Sequence, residues 1–302
     1  MLLMNFPKDL ITGRLRLNES LSAHTSFRIG GPAALWAEPK DAEELRKVIL
    51  FAKRKKLPAF VIGGGTNVLA SDAGFRGIVI HLGAPLFKKL SINGTTVKVG
   101  AGYATAGLVR SCCAKGLSGL ESLVGIPGTI GGAICMNAGG WSSPLYRNIG
   151  DYVASLKVMD RAGNIKTIKT EEIEFGYRRS SLSPYIIMEA VLKFGKEDSL
   201  ALTSRCSKFL KLKKEKQVLD IPSAGCVFKN PKASQLTTGQ MIDMLGLKGR
   251  RIGGAEVSEK HANFIINRGQ ATCGDVMRLI GLVSKKVMDN YKIPLELEIK
   301  VI

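Results

Sequence analysis

The chain reads as an α+β protein in which helices and strands are mixed without regular strand–helix–strand alternation. Three observations predict this class. Helical periodicity recurs over residues 41–56, 105–112 and 276–287; hairpin signals join short strand-like runs; and glycine clusters at 63–65 and 125–132 each follow an apolar segment. With 302 residues the chain can bury a substantial core and divide into two or three domains.

Residues 1–20 read as a short helical or irregular arm. Ala33 to Glu38 is a strand. Asp41 and Glu44 have capping-box spacing, and Leu45, Val48, Ile49 and Ala52 continue at helical spacing, so 41–56 is a helix. A short buried strand from Pro58 then enters Gly63-Gly64-Gly65-Thr66-Asn67. Glycines without Cβ let backbone N–H groups approach a phosphate, and Thr66 and Asn67 add donors; the same residues also suit a tight turn. This is not the G-x-G-x-x-G fingerprint, because no long helix with a ribose-reading acid follows directly.

Gly77 to Leu82 is another strand, and 86–100 a hairpin closed by Asn93-Gly94. Thr105, Leu108, Val109 and Cys112 share one helical face. In the second cluster, Gly125-Ile126-Pro127-Gly128-Thr129-Ile130-Gly131-Gly132, Pro127 fixes a turn and Thr129 is placed to cap a short helix; the cluster continues to Gly140. Two such loops, both after apolar segments, suggest two walls of one extended ligand, although each alone also reads as a turn.

Tyr152 to Lys169 is a hairpin around Arg161-Ala162-Gly163-Asn164. In Glu174 to Ser181 the adjacent Arg178 and Arg179 read either as solvated surface or, flanked by tyrosine and serine, as a means of orienting a carboxylate. Tyr185 to Phe194 is a strand. Residues 198–216 form a helix whose run of Lys208, Lys211, Lys213, Lys214 and Lys216 reads either as a solvated end or as a source of a lysine for a pyrophosphate, and it marks a domain boundary. Ser223 to Pro231 is a turn leading into a strand, with Cys226 either a small core residue or a working thiol. Gln235 to Leu245 is a short helix and His261 to Asn267 a strand. Thr272 to Asp275 is a capping box opening a helix, and the alternating Leu295 to Ile302 is a closing strand.

A net charge of +19 and a pI near 9.8 favour anionic ligands or polyanions. Aromatic residues make up 6% of the chain, which argues against a nucleic-acid surface of interleaved basic and aromatic groups. The six cysteines form no C-x-x-C pair and have no histidine at metal spacing, so no metal site or disulfide framework is expected. Pro7, Lys8 and Asp9 interrupt the first apolar cluster, and no run approaches a spanning helix; a cytoplasmic protein without membrane partners is expected. Three domains are expected, at 1–84, 85–197 and 198–302.

Taken in order, Val61 to Leu69, Gly125 to Gly132, Gly176-Tyr177-Arg178-Arg179-Ser180, Ser223 to Pro231 and Leu295-Glu296-Leu297-Glu298 resemble the MurB family, the UDP-N-acetylenolpyruvoylglucosamine reductases of peptidoglycan synthesis. The resemblance covers residues 22–302 and is to the family's shorter type. It implies an FAD-binding portion of two α+β subdomains, of the vanillyl-alcohol-oxidase type, followed by a C-terminal substrate domain. Noncovalent FAD would be held by Gly63, Gly64, Gly65, Thr66 and Asn67, and by Gly125, Pro127, Gly128, Thr129, Gly131, Gly132, Asn137 and Ala138.

The resemblance also implies a reaction. NADPH reduces the flavin, hydride passes from flavin N5 to the terminal enolpyruvyl carbon of the UDP-sugar, and a proton reaches the neighbouring carbon. Arg178 matches the catalytic arginine, and Glu298, with Glu296 as its rival, the catalytic glutamate. Cys226 stands where most members carry a proton-donating serine. A thiol, with a reference pKa of about 8.5, is a much stronger acid than a hydroxyl and can serve in that place. Tyr177, Asn230 and Lys216 would contact the substrate, and a monomer is expected. Another FAD-dependent oxidase or dehydrogenase would explain the glycine loops but not the set Arg178, Cys226 and Glu298.

Overall fold

The computed structural model describes residues 10–139 and 147–302. The remainder of the expected arm at 1–9, and Gly140 at the end of the second glycine cluster, lie outside the described residues. The chain divides into two compact units, neither of which is one stretch of sequence. Unit 1 comprises 1–19, 34–63 and 76–210; unit 2 comprises 20–33, 64–75 and 211–302.

Unit 1 is built on two sheets. The first has strand order Arg14–Ser20, Pro32–Glu38, Phe75–His81, Ala59–Ile62, the last two strands being parallel with Ala59 opposite Ile78. The expected irregular arm is therefore partly wrong, since Arg14–Ser20 is a strand. It lies at a sheet edge and leaves Leu17 exposed, so its sequence carries little of the burial alternation by which strands are recognised. α1 (Ala42–Arg54) lays Leu45, Val48, Ile49 and Ala52 into the core.

The second sheet is antiparallel throughout, in the order Ile165–Lys169, Val153–Asp160, Tyr185–Lys193, Thr96–Gly100, Leu90–Asn93. Both expected hairpins form. Asn93 pairs with Thr96, so the first hairpin's two-residue loop is Gly94-Thr95, with Gly94 at φ +57°. Asp160 shapes the second by accepting from Ala162 N–H and Asn164 N–H, both at 2.8 Å. α2 (Thr105–Ala114), α3 (Ile130–Cys135) and much of α4 (Ser199–Lys216) add buried side chains to the same core.

Unit 2 has a four-stranded antiparallel sheet, Ser223–Cys226, Phe264–Asn267, Ala255–Val257, Arg251–Ile252. α5 (Thr238–Met244) is capped by Thr237 and Gln240, and α6 (Cys273–Tyr291) buries Val276, Leu279, Ile280, Val283 and Val287. The capping box at Thr272 and Asp275 is reciprocal. Asp72 completes that helix start by accepting from Cys273 N–H at 2.7 Å and Gly274 N–H at 3.0 Å.

The closing strand expected over 295–302 is reduced to an isolated bridge, Leu297 opposite Phe228, and a two-residue strand, Lys300–Val301, parallel to Val68–Leu69. The segment changes partner midway, so its side-chain alternation is not the record of one continuous strand.

The box expected at Asp41 and Glu44 is only half made. Asp41 accepts from Glu44 N–H at 2.9 Å, but the Glu44 carboxylate accepts instead from Thr12 N–H and Oγ1–H, Gly13 N–H and Lys40 N–H, at 2.7–3.1 Å. Burial alone would raise its pKa, yet these bonds hold it at about 2, below its ordinary 4.5. A carboxyl depressed on folding stabilises the fold above its unfolded pKa and loses that contribution as pH falls from 4.5 to about 2. Glu44→Gln should cost about 2–3 kcal/mol at pH 7 in denaturant unfolding, and the difference from wild type should shrink as pH drops through that window.

Candidate active site

In unit 1 the two glycine loops meet. A Cβ on Gly63 would lie 2.3 Å from Thr129 Oγ1, so the close approach requires glycine there. Thr129 occupies the N-cap position of α3 as expected but makes no side-chain capping bond. The loop's backbone is braced instead: Thr105 N–H donates to Gly128 O, Ile130 N–H to Tyr103 O and Gly131 N–H to Ala101 O. Not every glycine is thus available to a ligand. Gly65, in unit 2, has φ +62° and packs so closely on the His24 carbonyl that a Cβ would stand 1.9 Å from it, whereas Gly64 and Gly132 are exposed.

Two buried hydroxyls flank the second loop. Thr105 Oγ1 and Ser122 Oγ are the buried side-chain oxygens or nitrogens without a hydrogen-bond partner among the described residues. An unpaired buried hydroxyl costs about 1–3 kcal/mol, the kind of debt that a polar ligand cancels.

Arg178 sits at the tip of a hairpin of two-residue strands, Phe175–Gly176 and Arg179–Ser180. Its φ is +54°, a left-handed conformation costing a non-glycine residue about 1–2 kcal/mol. Its guanidinium donates to Gly139 O at 3.2 Å and stacks over the half-exposed Tyr177 ring at 5.2 Å. Asn137 and Ala138 are buried, and the Asn137 amide bonds to Gly176 O and Gly150 N–H. Cys135 is exposed, because it lies at the solvent side of α3's last turn while Ile134 and Ala133 face the core.

Unit 2 holds the other candidates. Cys226 is partly exposed at the end of its strand, one residue beyond Gly225 at φ +78°. Ser223 pairs with Ile266 and Cys226 with Phe264, so one extra residue is accommodated between them as a bulge. A Cβ on Gly225 would touch nothing, which makes its requirement purely conformational. Ser26 braces the turn, its hydroxyl donating to Ser223 O at 2.6 Å.

Beyond Cys226, Asn263 grips the backbone from three directions: its carbonyl accepts from Val227 N–H, its Oδ1 from Phe228 N–H, and its Nδ2 donates to Phe228 O. Glu298 N–H donates to Val227 O at 2.8 Å, and Asn67 Nδ2 donates to Glu298 O at 3.0 Å. Cys226, Glu298 and Asn67 are thereby neighbours along the backbone. Glu296 is more exposed and its carboxylate is ion-paired with Lys229. Asn230 Oδ1 accepts from Thr238 N–H at the start of α5, and Lys216 is exposed at the end of α4.

Lys213 was hidden in the lysine run. Leu202, Cys206 and Phe209 are the buried face of α4, and Lys213 continues that face at helical spacing, a signal present in the sequence. Burial pulls its ammonium down to about 8, opposed by the nearby Cys226.

Residues 33–169 match a family described as FAD binding domain, and residues 216–302 match the UDP-N-acetylenolpyruvoylglucosamine reductase, C-terminal domain. The chain is 43% identical to the UDP-N-acetylenolpyruvoylglucosamine reductase of Moorella thermoacetica over 94% of its own length and 92% of that protein. It is 39% identical to the one from Syntrophomonas wolfei over 96% and 95%. The crystal structure of UDP-N-acetylenolpyruvylglucosamine reductase from Thermus caldophilus superposes with a TM-score of 0.81 at 34% identity, covering 96% of this chain and 99% of that one. By sequence along nearly all its length and by fold, the chain belongs to the UDP-N-acetylenolpyruvoylglucosamine reductase family.

Proposed function

We propose that this chain is a cytoplasmic, monomeric FAD enzyme that uses NADPH to reduce the enolpyruvyl group of UDP-N-acetylglucosamine enolpyruvate to the lactyl ether, giving UDP-N-acetylmuramate for peptidoglycan. Among the described residues no helix is long and apolar enough to cross a membrane. The functional division proposed is 1–84 and 85–197 for the cofactor and 198–302 for the substrate.

The residues present fit FAD. The Gly63–Thr129 approach, the exposed Gly132, and the unpaired hydroxyls of Thr105 and Ser122 offer the Cβ-free backbone and spare donors that a dinucleotide needs. When bound, FAD would supply the two-electron, hydride-transfer chemistry that links NADPH to the enolpyruvyl group.

The chain's own residues supply the remaining chemistry. Hydride added to the terminal enolpyruvyl carbon drives negative charge toward the substrate carboxylate, where the Arg178 guanidinium would stabilise it. Cys226 then gives its thiol proton to the neighbouring carbon, completing the C–H bond and leaving a thiolate. The Lys213 ammonium, held at about 8 by burial, is favoured in its charged form by negative charge on Cys226. Glu298 is favoured over Glu296 because its backbone is tied to both Val227 and Asn67, whereas the Glu296 side chain is largely exposed.

The observation that carries this reading is the hydrogen bond from Glu298 N–H to Val227 O, which holds the backbone of the acid beside that of the thiol. The test is a coupled assay on the purified protein. NADPH should bleach a bound flavin spectrum, and the UDP-enolpyruvyl sugar, but not hydroxy acids, should restore it; restoration by hydroxy acids would favour an oxidase or dehydrogenase instead.

Cys226→Ala should leave flavin reduction by NADPH intact while collapsing turnover of the enolpyruvyl substrate, whereas Cys226→Ser should retain measurable turnover. Arg178→Ala should slow reoxidation of the flavin by substrate by about 10²–10³-fold, with reduction by NADPH unchanged in stopped-flow traces.

A further inference from the structure

The hairpin that presents Arg178 is too short to hold its own shape. Two-residue strands make few ladder bonds, and isolated hairpins are at best marginal in water. Its tip is also in a left-handed conformation, so something outside the hairpin must fix it.

That support comes from the segment leaving α3. Ser180 Oγ–H donates to Cys135 O at 2.9 Å, Asn137 Nδ2 donates to Gly176 O at 3.0 Å, and the Arg178 guanidinium donates to Gly139 O at 3.2 Å. Three alternate residues of one short segment thus grip both strands and the tip. Asn137 is the centre of the bracket. It is 5% exposed and left-handed at φ +44°, and its Oδ1 accepts from Gly150 N–H at 3.1 Å, so both ends of its amide are committed. The fit is tight: a Cβ on Gly150 would lie 2.7 Å from both Asn137 Oδ1 and Phe175 Cγ, and Phe175 opens the hairpin.

We infer that Asn137 is a positioning residue for the reductase reaction, setting the Arg178 guanidinium through the Gly176 carbonyl, and that its side chain does not act as a flavin ligand. The inference rests on the role given to Arg178 under Proposed function. Misplacing a charge-stabilising group by about 1 Å can cost 10²-fold, so a buried amide that fixes the hairpin affects rate without touching substrate.

The test uses the FAD-loaded enzyme and the variants Asn137→Asp, Ser180→Ala, Arg178→Ala and the double variant Asn137→Asp/Arg178→Ala. Aspartate keeps the acceptor for Gly150 N–H and tolerates the left-handed backbone, and it replaces the donor to Gly176 O with a carboxylate oxygen that repels that carbonyl. Asn137→Asp should keep FAD affinity and flavin reduction by NADPH near wild type, while reoxidation by the UDP-enolpyruvyl sugar slows at least about tenfold. The double variant should be no slower than Arg178→Ala alone, because the amide acts through the arginine. Ser180→Ala, which removes a neighbouring brace, should show a smaller loss in the same half-reaction.

Weakened FAD binding, equal loss in both half-reactions, or multiplying effects in the double variant would overturn the inference. If Arg178→Ala slows reoxidation but Asn137→Asp does not, the positioning role alone fails. If Arg178→Ala itself reoxidises at the wild-type rate, the assignment of Arg178 fails, and the inference with it.

Discussion

The segment from Glu296 to Ile302 binds two different partners in turn, and the chemistry assigned to unit 2 depends on that exchange. Its first half pairs with 227–229, through Lys229 N–H to Glu296 O and Glu298 N–H to Val227 O. Its second half pairs with 67–69, through Lys300 N–H to Asn67 O and Ile302 N–H to Leu69 O. Glu298 lies at the switch, its N–H given to one partner and its carbonyl to the Asn67 amide of the other. Three sequence-distant segments are therefore fixed relative to one another by backbone bonds, which are insensitive to side-chain identity. The frame beside Cys226 is therefore set by backbone bonds rather than by the side chain at that position.

Unit 1 shows the complementary strategy, in which polar groups and backbone torsions are held in costly states. Arg178 and Asn137 are left-handed, and Thr105 and Ser122 bury unpaired hydroxyls. Costs of this kind concentrate where a ligand or a reaction supplies the compensation. They lie around the second glycine loop and its exit, the stretch that also carries the close contact with Gly63.

Much of this was legible in the sequence because local chemistry settles it. Thr272 and Asp275 cap a helix through bonds between near neighbours, and Leu45, Val48, Ile49 and Ala52 face inward by spacing alone. The strand Arg14–Ser20 was not legible, since an edge strand with Leu17 in solvent lacks the alternation of a half-buried one. Glu44 was misread in part because its partners, Thr12 and Gly13, lie more than 30 residues away. The family motifs pointed to Arg178, Cys226 and Glu298, but nothing local disclosed that Asn137 reaches Gly176 or that Asn263 grips Val227 and Phe228. Lys213 could have been found by extending the Leu202, Cys206, Phe209 face one turn further, but its lysine neighbours concealed it.

The central claim is that the Cys226 thiol delivers the proton. It is tested most directly by alkylating the enzyme with and without bound UDP-enolpyruvyl sugar and locating the adduct by peptide mass spectrometry, since Cys135 is exposed as well. The account predicts that substrate protects Cys226, and that enzyme modified there is still reduced by NADPH but cannot be reoxidised by the enolpyruvyl substrate. Full turnover by enzyme alkylated at Cys226 would contradict it.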